Sequence, residues 1–164
     1  MTSMPRGGAA DRRSRRAAAA LGAVSAGLLV LSACDKPSPI ATVTVGGKSV
    51  STETDCYTDG KEVTQEEIAK CLKAKDLKSI TIDTDEKVRF GVDPEIADKG
   101  WTILLNGQPL MGEPTKKTYL SVGGYVFFNA QYGIQGDTVV VSIREGKNKA
   151  TGVWSFKFKK EDDS

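Results

Sequence analysis

The strongest constraint on the fold is a two-residue alternation of apolar and polar side chains near the end of the chain. Trp154, Phe156 and Phe158 alternate with polar residues, and Val139 to Ile143 shows the same period. A period of two places alternate side chains on one face of a β-strand, whereas a helical face repeats every 3.6 residues. The pattern therefore predicts strands with one buried face.

Glycine-containing dipeptides separate several of these alternating runs. Two alternating runs joined by two turn-forming residues are typical of a β-hairpin. With further runs after Ser79, the chain is predicted to hold about nine short strands. We expect residues 40–160 to form a mainly β domain, an antiparallel immunoglobulin-like or cupredoxin-like β-sandwich. The three predicted hairpins are Ile40–Val45 with Lys48–Thr52, Trp101–Leu105 with Gln108–Met111, and Thr118–Val122 with Tyr125–Phe128.

One short helical insertion interrupts the β pattern. Thr64 and Glu67 have the spacing of a capping box, in which each side chain bonds the other residue's backbone N–H. Ile68, Cys71 and Leu72 then fall on one helical face. Asp93-Pro94 is predicted to start a single helical turn, with the acids Glu95 and Asp98 following near the helix N-terminus.

Residues 1–33 are typical of an export signal. Five arginines precede the apolar run 17–31, which is shorter than the roughly 20 residues needed to span a bilayer. The alternative is an uncleaved membrane anchor. The pair Arg15-Arg16 leaves the export route open between the general and twin-arginine pathways.

The run Leu31-Ser32-Ala33-Cys34 resembles a bacterial lipobox. The resemblance implies cleavage before Cys34 and a diacylglyceryl group on its thiol, which would anchor the protein to the outer face of the cell membrane. Two long acyl chains suffice for stable anchoring, since each buried CH₂ contributes about 0.8 kcal/mol. Residues 34–39 would form a proline-rich tether and 161–164 an acidic tail. The alternative is an ordinary secretory cut that leaves Cys34 as a free thiol.

Three cysteines are an odd number for an exported protein. If Cys34 carries lipid, Cys56 and Cys71 remain and are predicted to form a disulfide in an oxidising compartment. A redox or metal pair is the alternative, but the spacing is far from C-x-x-C.

Composition excludes several function classes. There is no histidine, which removes Ser-His and Cys-His catalysis and imidazole metal sites. Without residues 1–33, 18 basic and 20 acidic residues remain, a formal charge of about −2 that argues against nucleic-acid binding. The acidic run Asp83–Glu86 begins like a calcium loop, but Lys87 and Val88 stand where an oxygen ligand and a glycine are required. We expect no metal, no cofactor and no catalytic residue.

An uncharged stretch at 129–136 is the candidate ligand-binding site. Amides and an aromatic ring on a loop suit recognition of a sugar or peptide, and the candidate residues are Asn129, Gln131, Tyr132 and Gln135. The alternative is a structural connection with Tyr132 packed against the domain. Trp101 and Trp154 lie in strand patterns and are predicted to be core residues.

Nearly the whole chain resembles small actinobacterial lipoproteins of unknown function. The resemblance rests on the signal and lipobox, 89–94, Gly100-Trp101 with 106–109, 127–133 and 151–156. It implies a location but no activity. We therefore expect a non-catalytic binding or structural module whose partners are the membrane, through Cys34, and an unknown envelope component. The alternative is a hydrolase or enzyme accessory acting on envelope glycan through paired carboxylates, drawn from Asp83, Asp93, Glu95 and Asp98.

Overall fold

A computed structural model describes residues 37–53, 56–58, 60–73 and 76–162. The predicted signal at 1–33, the lipidation site Cys34 and the last two residues of the predicted tail lie outside the described residues. Within the described ranges, no helix is both long and apolar enough to cross a membrane.

The described body is mainly β, as predicted, with ten strands and two α-helices. The helices are α1 (Gln65–Leu72) and α2 (Pro94–Lys99), and two 3₁₀ segments cover Gly124–Phe128 and Ala130–Tyr132. The strands are β1 (Ala41–Val45), β2 (Lys48–Thr52), β3 (Cys56–Tyr57), β4 (Lys78–Ile82), β5 (Lys87–Val92), β6 (Trp101–Leu105), β7 (Gln108–Pro109), β8 (Tyr119–Gly123), β9 (Thr138–Glu145) and β10 (Gly152–Lys160).

The strands form two sheets. Sheet 1 has the order β2-β1-β5-β8, with every pair antiparallel. Sheet 2 has the order β3-β10-β9-β6-β7, and β4 also pairs with β10. The β4–β10 pair is parallel, whereas an antiparallel fold was expected throughout. Parallel strands need a long connection, and the many residues between these two strands supply one.

One large core is built from the inward faces of both sheets. Phe127 stands edge-on to Phe158 with ring centroids 5.1 Å apart, and Phe90 packs against both. Trp101 and Trp154 are fully buried, as predicted. The Trp101 indole N–H donates to the carbonyl of Lys117, and the Trp154 indole N–H to the carbonyl of Pro39, each at 2.7 Å. These bonds satisfy the polar atom of each buried tryptophan.

Two of the three predicted hairpins form. Val45 pairs with Lys48 across Gly46-Gly47, and Leu105 pairs with Gln108. Asn106 and Gly107 both have positive φ, as the favoured two-residue hairpin turn requires.

The third hairpin prediction is wrong. β8 ends at Gly123, and Gly124–Phe128 is a 3₁₀ segment rather than a returning strand. The Gly124 N–H donates to the carbonyl of Glu86 at 2.8 Å, on the neighbouring strand's turn, so the chain bends inward at this point. Phe127, which lies within this 3₁₀ segment, is part of the large core.

Helix α1 forms at the predicted place, with both bonds of the Thr64–Glu67 capping box. The predicted disulfide between Cys56 and Cys71 is confirmed and joins α1 to β3. Ile68 packs with Val63, Ala150 and Val153 in a small second core. Because an eight-residue helix is not stable alone, the disulfide and this core hold it on sheet 2. In the chain-entropy view, closing a loop of this length contributes roughly 3 kcal/mol.

Candidate functional site

The predicted ligand-binding stretch 129–136 is a surface connection anchored at one point. Ile134 is buried and fixes the loop to the large core. The Asn129 side chain accepts a hydrogen bond from the Gln131 N–H at 2.9 Å, so it caps the second 3₁₀ segment and does not extend outward as a ligand-binding group would. Gln131, Tyr132 and Gln135 are exposed.

Tyr132 is 53% exposed, so its ring is not packed away as the structural alternative expected. The stretch therefore brings Gln131, Tyr132 and Gln135 to the surface. Their role in binding stays a prediction.

A pocket of about 200 Å³ lies elsewhere, where the β1–β2 turn meets the β4–β5 turn. Asp83 Oδ1 accepts from the Asp85 N–H at 2.8 Å within the acidic turn between β4 and β5. Lys48 lies 4.0 Å from Glu161 in an exposed ion pair. Three acids and one lysine therefore lie together in a concave site, which supports the alternative of a hydrolase with paired carboxylates. The polar lining residues are Lys48, Thr81, Asp83, Glu86 and Glu161.

The most unusual chemistry is a chain of polar groups that ends in a fully buried carboxylate. Glu145 has no exposed surface. Its Oε1 accepts from Lys99 Nζ at 3.1 Å and from the Thr151 hydroxyl. Lys99 Nζ also donates to the Tyr57 hydroxyl at 3.2 Å, and that hydroxyl donates to Glu95 at 3.0 Å. Lys99 Nζ lies 5.0 Å from the Tyr57 ring centroid, which adds a cation–π contact.

This cluster joins three elements, β3, α2 and β9. Glu145 Oε2 has no hydrogen-bond partner among the described residues. Sequence reasoning missed the cluster, although a signal was present. Glu145 continues the inward positions of β9 after Val139, Val141 and Ile143, so the alternation alone places an acid at a core position.

The pKa shifts of Lys99 and Tyr57 run opposite to the lowered pKa that a lysine base or nucleophile needs. Burial lowers the pKa of Lys99, but the hydrogen bonds and charge interactions with Tyr57 and Glu145 together outweigh it, so the net pKa is raised. Burial is the main cause of the raised pKa of Tyr57. A lysine nucleophile needs a lowered pKa. The cluster therefore holds a cationic lysine and a neutral tyrosine, which suits a structural tie.

Both raised values predict that the fold weakens in alkali. A raised folded-state pKa gives stabilisation that is complete below the unfolded value and is lost as pH rises through the folded one. The ordinary values are 10.0 for tyrosine and 10.5 for lysine, so the free energy of unfolding should fall above about pH 10. Urea unfolding between pH 8 and 11 checks this. Tyr57→Phe should flatten the fall, and Tyr132→Phe, the same change at an exposed ring, should not; equal slopes in both variants contradict the assignment.

Within the described ranges, no group of three or more Cys, Asp or Glu residues could hold a metal ion. Comparison of the chain with protein-family models, with curated proteins and with solved structures gave no match. The resemblance to actinobacterial lipoproteins therefore stays a prediction from the sequence.

Proposed function

We propose that the chain is a lipid-anchored recognition module of the cell envelope that binds its partner without catalysing a reaction. In this proposal Cys34 carries a diacylglyceryl group, and the β body is held at the outer face of the cell membrane. The body has the two-sheet arrangement of an immunoglobulin-like or cupredoxin-like sandwich. Support for the sandwich comes from the shared core, to which both sheets contribute.

The observation that carries the binding role is the exposure of three tyrosines between β8 and the stretch 129–136. Tyr119, Tyr125 and Tyr132 are 55%, 64% and 53% exposed, while both tryptophans and all but one of the phenylalanines are buried in the core. Tyrosine offers a rigid apolar ring with a polar tip and loses little entropy when it is immobilised. Three such rings along 14 consecutive residues favour recognition of a partner.

Anchoring is tested by replacing the thiol. Cys34→Ala should move the protein from the membrane pellet to the soluble extracytoplasmic fraction or block its maturation, because no thioether can form. Ser32→Ala is the matched control, since it keeps a small residue before the cut and should leave the protein in the pellet. Unchanged fractionation of Cys34→Ala refutes lipidation.

Recognition is tested by crosslinking the protein to intact envelope. Tyr132→Ala with Gln131→Ala should reduce capture of envelope material, and Lys61→Ala, on an exposed turn, should not. Equal capture by all variants favours an inert structural protein over a recognition module at this loop.

The second candidate function, carboxylate-based hydrolysis of envelope glycan, has the acidic pocket in its favour. Glycosidases use two carboxyl groups about 5 to 10 Å apart. Hydrolysis would be supported if the protein releases reducing sugar from purified cell wall and if this release disappears in the variants Glu86→Gln and Asp83→Asn. Glu86 and Glu161 are exposed to water, whereas a general acid works best when burial raises its affinity for the proton, so we rank this function second.

A further inference from the structure

Within the described strands, the outer face of sheet 1 is polar and carries no carboxylate. The strands bury Val43, Val88 and Phe90 on the inner side, so the alternate residues face outward. Within the described strands, the outward residues are Thr42, Thr44, Ser49, Ser51, Lys87, Arg89, Gly91, Tyr119, Ser121 and Gly123. The set contains two cations and no acid, although the sequence after residue 33 has a slight excess of acids.

Hydroxyl groups cover one side of this outer face. The hydroxyls of Thr42 and Ser51 lie 2.8 Å apart, and those of Thr44 and Ser49 lie 3.0 Å apart. Each pair holds its two hydroxyls in fixed positions across β1 and β2, and each hydroxyl keeps a further lone pair for a ligand. Such a surface offers many hydrogen bonds at little cost in side-chain entropy.

Two cations stand in the middle of the outer face, on β5. Lys87 and Arg89 are exposed, and in the described part of the chain neither forms an ion pair. By register Arg89 lies between Thr44 and Ser121. A guanidinium can bind a carboxylate or phosphate through two parallel N–H groups, so the face is complementary to an anion.

A gap lies between the hydroxyls and a tyrosine. Gly91 is paired with Thr42 on one side and with Tyr119 on the other. A Cβ built on Gly91 meets no atom within 4 Å, so the space above it is open. Glycine within a strand often marks a place where a ligand approaches the backbone.

Two tyrosine rings lie at opposite ends of β8. Tyr119 is at its start, and the Tyr125 ring covers Gly123 at its end, where an added Cβ would be 2.5 Å from Tyr125 Cε1. The four residue-to-residue steps from Tyr119 to Gly123 span about 13 Å. Both rings are more than half exposed, so each presents a surface on which a flat or ring-shaped ligand can lie.

We propose that the outer face of sheet 1 binds an anionic polysaccharide that lies along β5, with one tyrosine near each end. This inference rests on the proposed function, because it names the ligand class of the recognition module. Arg89 and Lys87 bind the acidic groups, the hydroxyl pairs bind sugar hydroxyls, and a sugar ring enters the gap above Gly91. A membrane surface fits less well, because the outward residues include no Leu, Ile, Val, Phe or Trp to insert into lipid, and two cations alone hold weakly. Nucleic acid demands a longer row of cations.

The test uses full-length protein in detergent and two immobilised polymers, polygalacturonate and its fully methyl-esterified form. The protein should bind the acidic polymer and not the neutral one, and added salt should weaken binding. Arg89→Gln should weaken it about tenfold, the cost of one charge-assisted hydrogen-bonding group. Lys159→Gln, the same charge change at an exposed position of sheet 2, should change it less than about twofold.

Gly91→Thr separates binding from folding. The space above Gly91 accepts the new side chain, and threonine is favoured in strands, so the melting temperature should not fall. Binding to polygalacturonate should weaken at least about fivefold, because the gap is filled. The inference is overturned by equal binding to the neutral polymer, by equal losses in Arg89→Gln and Lys159→Gln, by unchanged binding of Gly91→Thr, or by preference for phosphatidylglycerol vesicles or single-stranded DNA. If one of these outcomes occurs while membrane retention still depends on Cys34, the proposed polysaccharide ligand is wrong. The proposed lipid anchoring is then unaffected.

Discussion

Lys99→Met is expected to lower the free energy of unfolding by about 3 to 5 kcal/mol. The loss comes from Glu145, which has no exposed surface and would keep, among the described residues, only the Thr151 hydroxyl as a side-chain donor. A buried carboxylate without a counter-charge costs several kcal/mol, because neither water nor a cation compensates its lost solvation. One of its oxygens already has no hydrogen-bond partner among the described residues, so no other contact of that oxygen compensates for the loss of Lys99.

The opposite substitution should be milder. Glu145→Gln removes the charge from the buried end of the pair and leaves Lys99 with the Tyr57 hydroxyl and with a side chain that is 32% exposed. Lys99 can therefore stay solvated in the Glu145→Gln variant, and we expect its free energy of unfolding to fall by about 1 to 2 kcal/mol. The double variant Lys99→Met/Glu145→Gln should be more stable than Lys99→Met alone by about 2 kcal/mol, because it buries no unpaired charge.

Urea unfolding at neutral pH measures all three variants. Lys70→Met is the matched control, since Lys70 also lies 3.1 Å from a carboxylate, that of Glu66, but both side chains are exposed. An exposed pair of this kind contributes about 0.3 to 0.5 kcal/mol. If Lys99→Met costs no more than Lys70→Met, Glu145 is not held as a buried anion and the account of the cluster is wrong.

Local patterns predicted the elements whose cause is local. The capping box of α1 and the Asn106-Gly107 turn depend on residues within four positions of each other, and both formed where expected. The alternation in β9 and β10 likewise identified buried faces. Periodicity also located both tryptophans in the core, because burial follows from the face of the strand and not from its partner.

Long-range features could not be predicted in the same way. Glu145 meets Lys99 across 46 positions and Lys99 meets Tyr57 across 42, and no local rule sets those distances. The outer face of sheet 1 depends on β1, β5 and β8 pairing in register, which brings Thr42, Gly91 and Tyr119 into one row. Sequence alone selected the exposed stretch near Tyr132, because its uncharged amides stand out within a single loop.

The Gly123-Gly124 dipeptide shows why one hairpin prediction failed. A pair of glycines has two possible causes, a turn that needs positive φ or a close approach that leaves no room for a Cβ. Neither Gly123 nor Gly124 has positive φ. A Cβ on Gly124 would lie 2.4 Å from the carbonyl oxygen of Asp83 and 3.0 Å from that of Glu86. Close packing against the β4–β5 turn is therefore the reason for glycine at 124.

Gly124→Ala should consequently lower the free energy of unfolding by about 3 kcal/mol, which is at the upper end of the effects of overpacking. Its Cβ would meet backbone atoms of a turn that is held between β4 in sheet 2 and β5 in sheet 1. The Gly124 N–H donates to the carbonyl of Glu86 at 2.8 Å, so relief of the clash also weakens that hydrogen bond. Displacing the segment would in turn move Phe127, which packs on Phe90 and Phe158.

Gly123→Ala, one residue earlier, provides the control for this prediction. The three atoms nearest its Cβ would all belong to the Tyr125 ring, and Tyr125 is 64% exposed and can swing into solvent, so the loss should stay below about 1 kcal/mol. Thermal unfolding of the two variants under identical conditions decides between a turn and a close approach. Equal losses would mean that Gly124 is not pressed against the β4–β5 turn. A large loss of stability in Gly124→Ala but not in Gly123→Ala, together with weaker polysaccharide binding by Gly123→Ala, would separate the two glycines. Gly124 would then be required for the fold, and Gly123 for the outer face of sheet 1.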